Sequence, residues 1–323
     1  MRILFFGTAA FAIPSLERLV ARGHQVLLCM TQPDRPQGRG LKATPSPVKS
    51  AATRLHLPVA QPNELRELVP QLTSLQPEVG VVISYGRLIP PALLGLPRHG
   101  MLGVHPSLLP KYRGASPVAW AILNGDDTTG VTVFRLNEAL DAGDILLQES
   151  ESIEPQETAE QLLARLAQRG ADLLLRSLER LERGEPMGTQ QDERLATLAP
   201  KLTKAHGCIN WEAGAASIDR LVRALNPWPG AYTTWRETLL KLWVTRVEPR
   251  PSTLRARPGE VLSSTPTGLR IATSDDIVVI LELQPAGRRR MTVQDFVAGH
   301  MLRPGEILGE GQGAAPCPFV GDA

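Results

Sequence analysis

This chain has no hydrophobic stretch near the ~20 residues that a membrane span requires. Its opening apolar run, Ile3–Phe6, is also too short for a secretory leader. Cysteine is scarce: Cys29, Cys208 and Cys317 are widely spaced and odd in number, which suits neither a disulfide framework nor a zinc site. An excess of one charge is lacking too. Lys+Arg is 35 against 33 Asp+Glu, so the net charge is +2 and bulk electrostatics name no polyanionic partner. No repeat or low-complexity tract interrupts the 323 residues. The expectation is a soluble cytoplasmic protein with no metal and no membrane attachment.

What is present points to an enzyme of about two domains, at roughly 150 residues each. Hydrophobic residues make up 42% and charged residues 21%, enough apolar material for a sizeable core. Gly and Pro number 28 each, about 9% apiece and above their usual ~7% and ~5%. Such a chain is rich in turns, where chemistry tends to sit.

The first ~150 residues alternate short apolar runs with helical stretches. Arg2–Phe6, Gln25–Met30, Val79–Ser84, Met101–His105 and Gly130–Leu136 read as strands. Between them, Ser15–Arg22, Pro47–Leu57, Glu64–Leu75 and Pro117–Leu123 read as helices. Continuous strands separated by helices predict an α/β fold, a parallel sheet covered on both faces. Ligands then bind beyond the carboxyl ends of the strands. A long helix follows at 159–183, then a linker. After it, one helix (Ala216–Leu225) precedes five short runs punctuated by Gly and Pro, which suggest a small C-terminal β-barrel of OB-like kind. The expected boundaries are a catalytic domain at 1–184, a linker at 185–204, a barrel at 205–310 and a frayed tail at 311–323.

The turn Gly7-Thr8-Ala9-Ala10-Phe11-Ala12 sits where a dinucleotide fold places its phosphate loop, but the second and third glycines of G-x-G-x-x-G are absent. That disfavours a nicotinamide oxidoreductase and leaves a strand-to-helix turn with Thr8 as a cap. His105 ends a strand, and Pro106 and Pro110 stiffen the loop after it. Some 36 residues on, Leu140-Asp141-Ala142-Gly143-Asp144 puts carboxylates in a tight turn. A histidine beside an aspartate exchanges protons near neutral pH. Taken singly, each also reads as a core histidine and a turn aspartate.

The segments His105–Gly114, Ile122–Gly125, Thr129–Thr132 and Leu140–Asp144 together resemble the formyltransferases that use 10-formyltetrahydrofolate. Thr31–Gly40, Pro45–Lys49 and Ala224–Ala231 resemble the members of that family that act on methionyl-tRNA. The likeness runs in order from residue 1 to about 310. It implies a Rossmann-like formyltransferase domain, then a barrel domain that helps hold tRNA. It also implies an Asn, His and Asp trio, of which His105 and Asp141 are present. The position of the Asn is Gly103, which removes an oxyanion-stabilising amide. By the same likeness Ser107, Leu108, Leu109 and Pro110 line the folate, with Tyr85 and Leu88 as a candidate opposite wall.

The acceptor amine must lose a proton and the folate N10 must regain one, work suited to His105. The resemblance also implies initiator methionyl-tRNA as partner, and the expected state is a monomer. From Thr31 to Lys49, Arg35, Arg39, Lys42 and Lys49 face Asp34 alone, or 4 − 1 = +3. This stretch is read as a basic loop without regular structure, either solvated or ordered around the tRNA acceptor end. Arg289, within Arg288-Arg289-Arg290, marks a second basic cluster. Trp228, between Pro227 and Pro229, reads first as an anchor packing the barrel against its helix and second as a base-stacking platform. Competing readings are formyl transfer to a small amine, and a tRNA-binding protein impaired by Gly103.

Overall fold

The computed structural model describes residues 1–37, 42–185, 188–300 and 302–310. Arg39, Cys317 and the expected tail at 311–323 lie outside the described residues. Two compact units divide the chain: 1–117, 128–152 and 162–200 form one; 118–127, 153–161 and the chain from 201 form the other.

In chain order the elements are β1 (Arg2–Gly7), α1 (Ile13–Ala21), β2 (Gln25–Met30), β3 (Arg35–Gln37), β4 (Lys42–Thr44), α2 (Pro47–Arg54), β5 (Val59–Ala60) and α3 (Val69–Ser74). There follow β6 (Val79–Ile83), α4 (Pro91–Leu94), β7 (Met101–His105), β8 (Arg113–Gly114), α5 (Pro117–Asn124), β9 (Thr128–Arg135), β10 (Ile145–Ser152), α6 (Ala159–Glu182) and β11 (Leu198–Ala199).

One seven-stranded sheet, in the order β10-β9-β7-β6-β1-β2-β5, organises the first unit. Its five strands from β7 to β5 are parallel. Ile3, Leu4, Phe5 and Phe6 are fully buried, because both faces of β1 are covered. The chain winds from β1 out to β2 and β5, then crosses to β6 and β7 on the other side. That reversal places the ligand crevice beyond the carboxyl ends of β1, β6 and β7. The run at 130–136, expected to be parallel like the others, is antiparallel: β9 runs against β7, and β10 against β9. Here the sheet approaches its edge, and β10 shows the alternating burial of a strand covered on one face only.

The basic loop also departs from expectation. Arg35–Gln37 pairs antiparallel with Lys42–Thr44 as a two-stranded ribbon. Pro36 does not forbid it, because a ribbon has outer edges where no N–H is required.

The second unit continues with α7 (Ala215–Ala224), β12 (Tyr232–Trp235), β13 (Thr238–Glu248), β14 (Val261–Thr265), β15 (Gly268–Ala272), β16 (Ile277–Pro285), β17 (Met291–Thr292) and α8 (Val293–Gly299). The strands form an antiparallel half-barrel, β12-β13-β16-β15-β14, with β17 beside β16. Its core holds Leu240, Leu242, Ile271, Val278, Ile280 and Phe296.

Candidate active site

His105 closes β7, all five of whose residues are buried, and stands opposite Thr132 of β9. Its imidazole is nearly enclosed, at 6% exposure. Nε2 lies 2.8 Å from the Tyr112 carbonyl oxygen. A carbonyl only accepts, so Nε2 carries the hydrogen and the ring orientation is fixed. Nδ1 then faces Asp141 Oδ2 at 3.7 Å, within ion-pair range but beyond a hydrogen bond. Asp141 takes a left-handed backbone conformation (φ 50°), and its Oδ2 accepts from the Gly114 amide at 2.9 Å. Two residues on, any Cβ at Gly143 would collide with the Arg135 carbonyl, so only glycine lets this turn lie against the end of β9.

A set of residues outside the expected site holds the turn in place. Gln191, buried at 4% exposure, donates from Nε2 to the backbone carbonyls of Asp141 (2.8 Å) and Gly143 (2.7 Å). Its Oε1 accepts from Arg113 Nη2 at 2.7 Å and Nε at 3.1 Å. Arg113 in turn grips Glu193 through two hydrogen bonds of 2.8 Å. Those bonds hold the Glu193 carboxyl below its ordinary range. Gln191 and Glu193 belong to the stretch read as a linker. The same stretch forms β11, which pairs with β8, and joins Thr189 to Ile145 by a bridge. Nothing in Gln190-Gln191 taken alone signals this role, which depends on a partner 50 residues away.

Thr132 does the same for the proline-bearing loop. Its hydroxyl donates to the Ser107 carbonyl at 2.6 Å and accepts from the Leu109 amide at 3.2 Å and from Gln148 Nε2 at 2.8 Å. Gln148 also donates to the Leu109 carbonyl at 2.9 Å. Residues 107–109 are thereby tied to β9 and β10.

The other expected site residues divide by exposure. Leu108 and Pro110 are part-exposed, and Leu88 is 78% exposed at the turn after β6. Ser107 and Leu109 are buried, and the Ser107 hydroxyl is spent on the Lys111 carbonyl at 2.6 Å. Tyr85 is corrected from wall to core: at 2% exposure its ring packs edge-on against Phe6, because apolar neighbours from β1, β2 and α3 surround it. Its carbonyl accepts from Thr8 Oγ1 (2.9 Å) and Gln32 Nε2 (2.7 Å). Thr8 therefore ties β1 to β6 and caps no helix. Gly103 sits inside β7 with β6 on one side and β9 on the other. A Cβ there would run into the Phe134 ring and Leu136.

Arg35 is exposed and donates to Gln32 Oε1 at 2.8 Å. Lys49 is committed to Asp34, with Nζ to Oδ2 at 2.6 Å. That bond and one from Gln61 hold the Asp34 carboxyl below its ordinary range. The Lys42 side chain lies outside the described residues. Arg289 is exposed. Trp228, expected as an anchor, is 56% exposed instead, since the turn after α7 folds back through Gly230 N to Leu225 O (2.9 Å) and leaves the interior to Ala231 and Trp235. Among the described residues no cluster of metal-ligating side chains occurs, and no helix is long and apolar enough to cross a membrane.

Known proteins match this arrangement along its length. Residues 1–178 fit the formyl transferase family and residues 201–301 the formyl transferase C-terminal domain. A methionyl-tRNA formyltransferase of Solibacter usitatus is 46% identical over 313 residues, covering 96% of this chain and 99% of its own. One from Desulforamulus reducens is 42% identical over 311 residues, covering 96% and 98%. Among solved structures, an N-formyltransferase from Helicobacter canadensis, in complex with folinic acid and dTDP-3-aminofucose, shares the fold at TM-score 0.66 and 17% identity, over 86% of this chain and 98% of its own. HypX from Aquifex aeolicus, in complex with tetrahydrofolic acid, does so at TM-score 0.64 and 22% identity, over 93% of this chain and 47% of its own. With both domains matched in order and a histidine–aspartate pair at the carboxyl end of the sheet, this chain belongs to the formyl transferase family.

Proposed function

We propose that this enzyme transfers the formyl group of 10-formyltetrahydrofolate to the free α-amino group of initiator methionyl-tRNA, yielding N-formylmethionyl-tRNA. The observation that carries the reading is the His105–Asp141 pair, in a chain 42–46% identical to methionyl-tRNA formyltransferases over nearly its full length.

The attacking amine has an ordinary pKa of ~7.7–8.0, so much of it is protonated at neutral pH. The ammonium first loses one proton to solvent; a bond then forms between the neutral amine nitrogen and the formyl carbon, the bond from that carbon to N10 breaks, and one proton passes from amine to N10. His105 Nδ1 is the relay, because Nε2 is committed to Tyr112. A proton arriving at Nδ1 meets the Asp141 carboxylate. The formyl oxygen gains charge as the amine adds, and with no side chain at 103 an ordered water is the donor in this reading.

Leu108, Leu109, Pro110 and the exposed Leu88 border the pterin, with Ser107 holding the loop that carries them through its bonds to Thr132 and Lys111. Arg35, Arg39 and Lys42 reach the acceptor end of the tRNA, with Arg289 on the second unit as a further phosphate contact. Catalysis is assigned to 1–184 together with the Gln191 segment, and tRNA holding to 205–310. The enzyme is read as a cytoplasmic monomer.

The test offers purified protein 10-formyltetrahydrofolate with either charged initiator tRNA or a small amine, such as an amino sugar or glycinamide nucleotide. Formylated methionine is expected. Product from the small amine alone, or tRNA binding without product, would overturn the reading.

A further inference from the structure

Trp211 and Trp235 are buried, whereas Trp228 stands 56% exposed on the turn after α7. That turn is tied from beneath. Gly230 N donates to Leu225 O at 2.9 Å, Asn226 Nδ2 to Trp243 O at 3.1 Å, and Lys241 Nζ to Pro227 O at 2.7 Å. Lys241 lies across Gly230, where any Cβ would collide with it, so the glycine is what lets the lysine reach the turn. The indole of Trp228 is therefore presented by a fixed piece of backbone.

The neighbourhood is cationic and aromatic. Lys241 Nζ sits 4.3 Å from the centre of the Trp243 ring, and the Arg290 guanidinium 4.7 Å from the same ring. Trp243 Nε1 donates to Gln284 at 3.1 Å, and Gln284 Nε2 to the Arg288 carbonyl at 2.8 Å. One bonded path thus joins the Trp228 turn to the exposed Arg288, Arg289 and Arg290. Glu282 pairs with Arg290, so along this path Lys241 and the three arginines face one carboxylate, 4 − 1 = +3. An open indole on a rigid turn, joined by this path to the exposed Arg288 and Arg289, fits a partner with flat π-faces and phosphates. An apolar protein surface would leave those charges without partners.

We propose that Trp228 is a stacking platform for an unpaired base of the RNA substrate, with Arg288 and Arg289 on the flanking phosphates. The inference rests on the tRNA reading of the preceding subsection and goes beyond it by naming the contact. Stacking of one base on an aromatic side chain corresponds to about 5- to 150-fold in affinity.

The experiment measures binding of initiator tRNA to the full-length protein at several salt concentrations. Trp228→Ala is expected to weaken binding about 5- to 150-fold with the salt slope unchanged, the loss appearing mainly in KM for methionyl-tRNA. Trp228→Phe keeps a stacking face and is expected to recover most of the affinity. Because the indole itself is gone, the quenching of protein fluorescence by tRNA should shrink even though the variant binds. Arg288→Ala and Arg289→Ala should each lower the salt slope by ~0.7–0.9. If Trp228→Ala binds tRNA as the parent does, the inference falls. It falls equally if that variant instead breaks a self-associated species in sedimentation while tRNA affinity holds. A parent that does not formylate methionyl-tRNA would overturn the earlier reading. A parent that does, with Trp228→Ala indistinguishable from it, overturns this inference alone.

Discussion

His105 and Gln191 sit at the two ends of one device. In the proposed mechanism the imidazole moves the proton, and the Gln191 amide holds the turn that carries its carboxylate partner. His105→Ala should lower kcat by ~10²–10⁴-fold, the usual contribution of a positioned acid–base. Gln191→Ala should cost less, ~10–100-fold in kcat, since it lets Asp141 drift without removing either group. It should also lower stability by ~1–3 kcal/mol in denaturant unfolding, because the buried Gly143 carbonyl and the part-buried Asp141 carbonyl lose their donor. Equal kcat in parent and Gln191→Ala would separate Gln191 from the chemistry. Gly103 poses a sharper question. With Phe134 and Leu136 packed against it, Gly103→Asn forces the ring to move, and overpacking of this kind costs ~1–3 kcal/mol. A lower unfolding midpoint without a gain in turnover is expected. A variant as stable as the parent and about a hundredfold faster would mean that the strand has room and the missing amide was limiting. That His105 and Asp141 meet was legible through the ordered resemblance of the segments around them, since each taken singly also reads as a core histidine and a turn aspartate. Gln191 was not, because a glutamine in a polar stretch has no local signature and its partners come from the fold.

At the level of elements, apolar continuity made β1, β2, β6 and β7 readable. β10 escaped because Ile145–Ser152 opens on three apolar residues and then runs Gln-Glu-Ser-Glu-Ser, so its polar second half lacks the apolar period of a strand and resembles a loop, although its burial alternates. The direction of β9 escaped as well, since a strand's composition does not encode its sense. The stretch expected to be a linker carries the short turn Glu193–Leu195, and its link to Arg113 has a pH consequence. A carboxyl depressed in the folded state contributes stability above its unfolded pKa of ~4.3 and loses it as pH falls through the lower folded value. Parent and Glu193→Gln should therefore differ in unfolding midpoint at neutral pH and converge in acid. A constant gap down to about pH 2 would show that Arg113 does not hold Glu193 in solution. The β3–β4 ribbon yields a separate expectation. Lys49 is neutralised by Asp34, so the proposed phosphate contacts of this stretch are Arg35, Arg39 and Lys42, and each one removed should lower the salt slope of tRNA binding by ~0.7–0.9. Unchanged slopes in Arg39→Ala/Lys42→Ala would take the ribbon out of the interface.

Across the whole molecule, the two units do not correspond to two halves of the chain. Residues 118–127 and 153–161 leave the sheet-bearing stretch and join the second unit. There Arg223 Nη1 donates to the Glu157 carbonyl at 3.1 Å, and the Trp120 ring meets His206 edge-on at 6.5 Å. Val118, Ala121 and Ile122 are buried at 4%, 0% and 1% exposure. A chain ended after residue 200 keeps Gln191, Glu193 and β11, hence every hydrogen bond drawn above around Asp141. It nonetheless strips the second unit from those two excursions, removing the Arg223 bond to Glu157 and the His206 contact of Trp120, and each Å² of apolar surface uncovered costs about 25 cal/mol. Such a chain is expected to aggregate or to unfold at a much lower midpoint, as read by circular dichroism and by binding of a hydrophobic dye. One ended after residue 184 should fare worse still, because Gln191 goes as well. If the chain of residues 1–200 instead folds as stably as the parent and formylates a small amine, the second unit is an appendage, and the restriction to tRNA would have to be sought in the first unit alone.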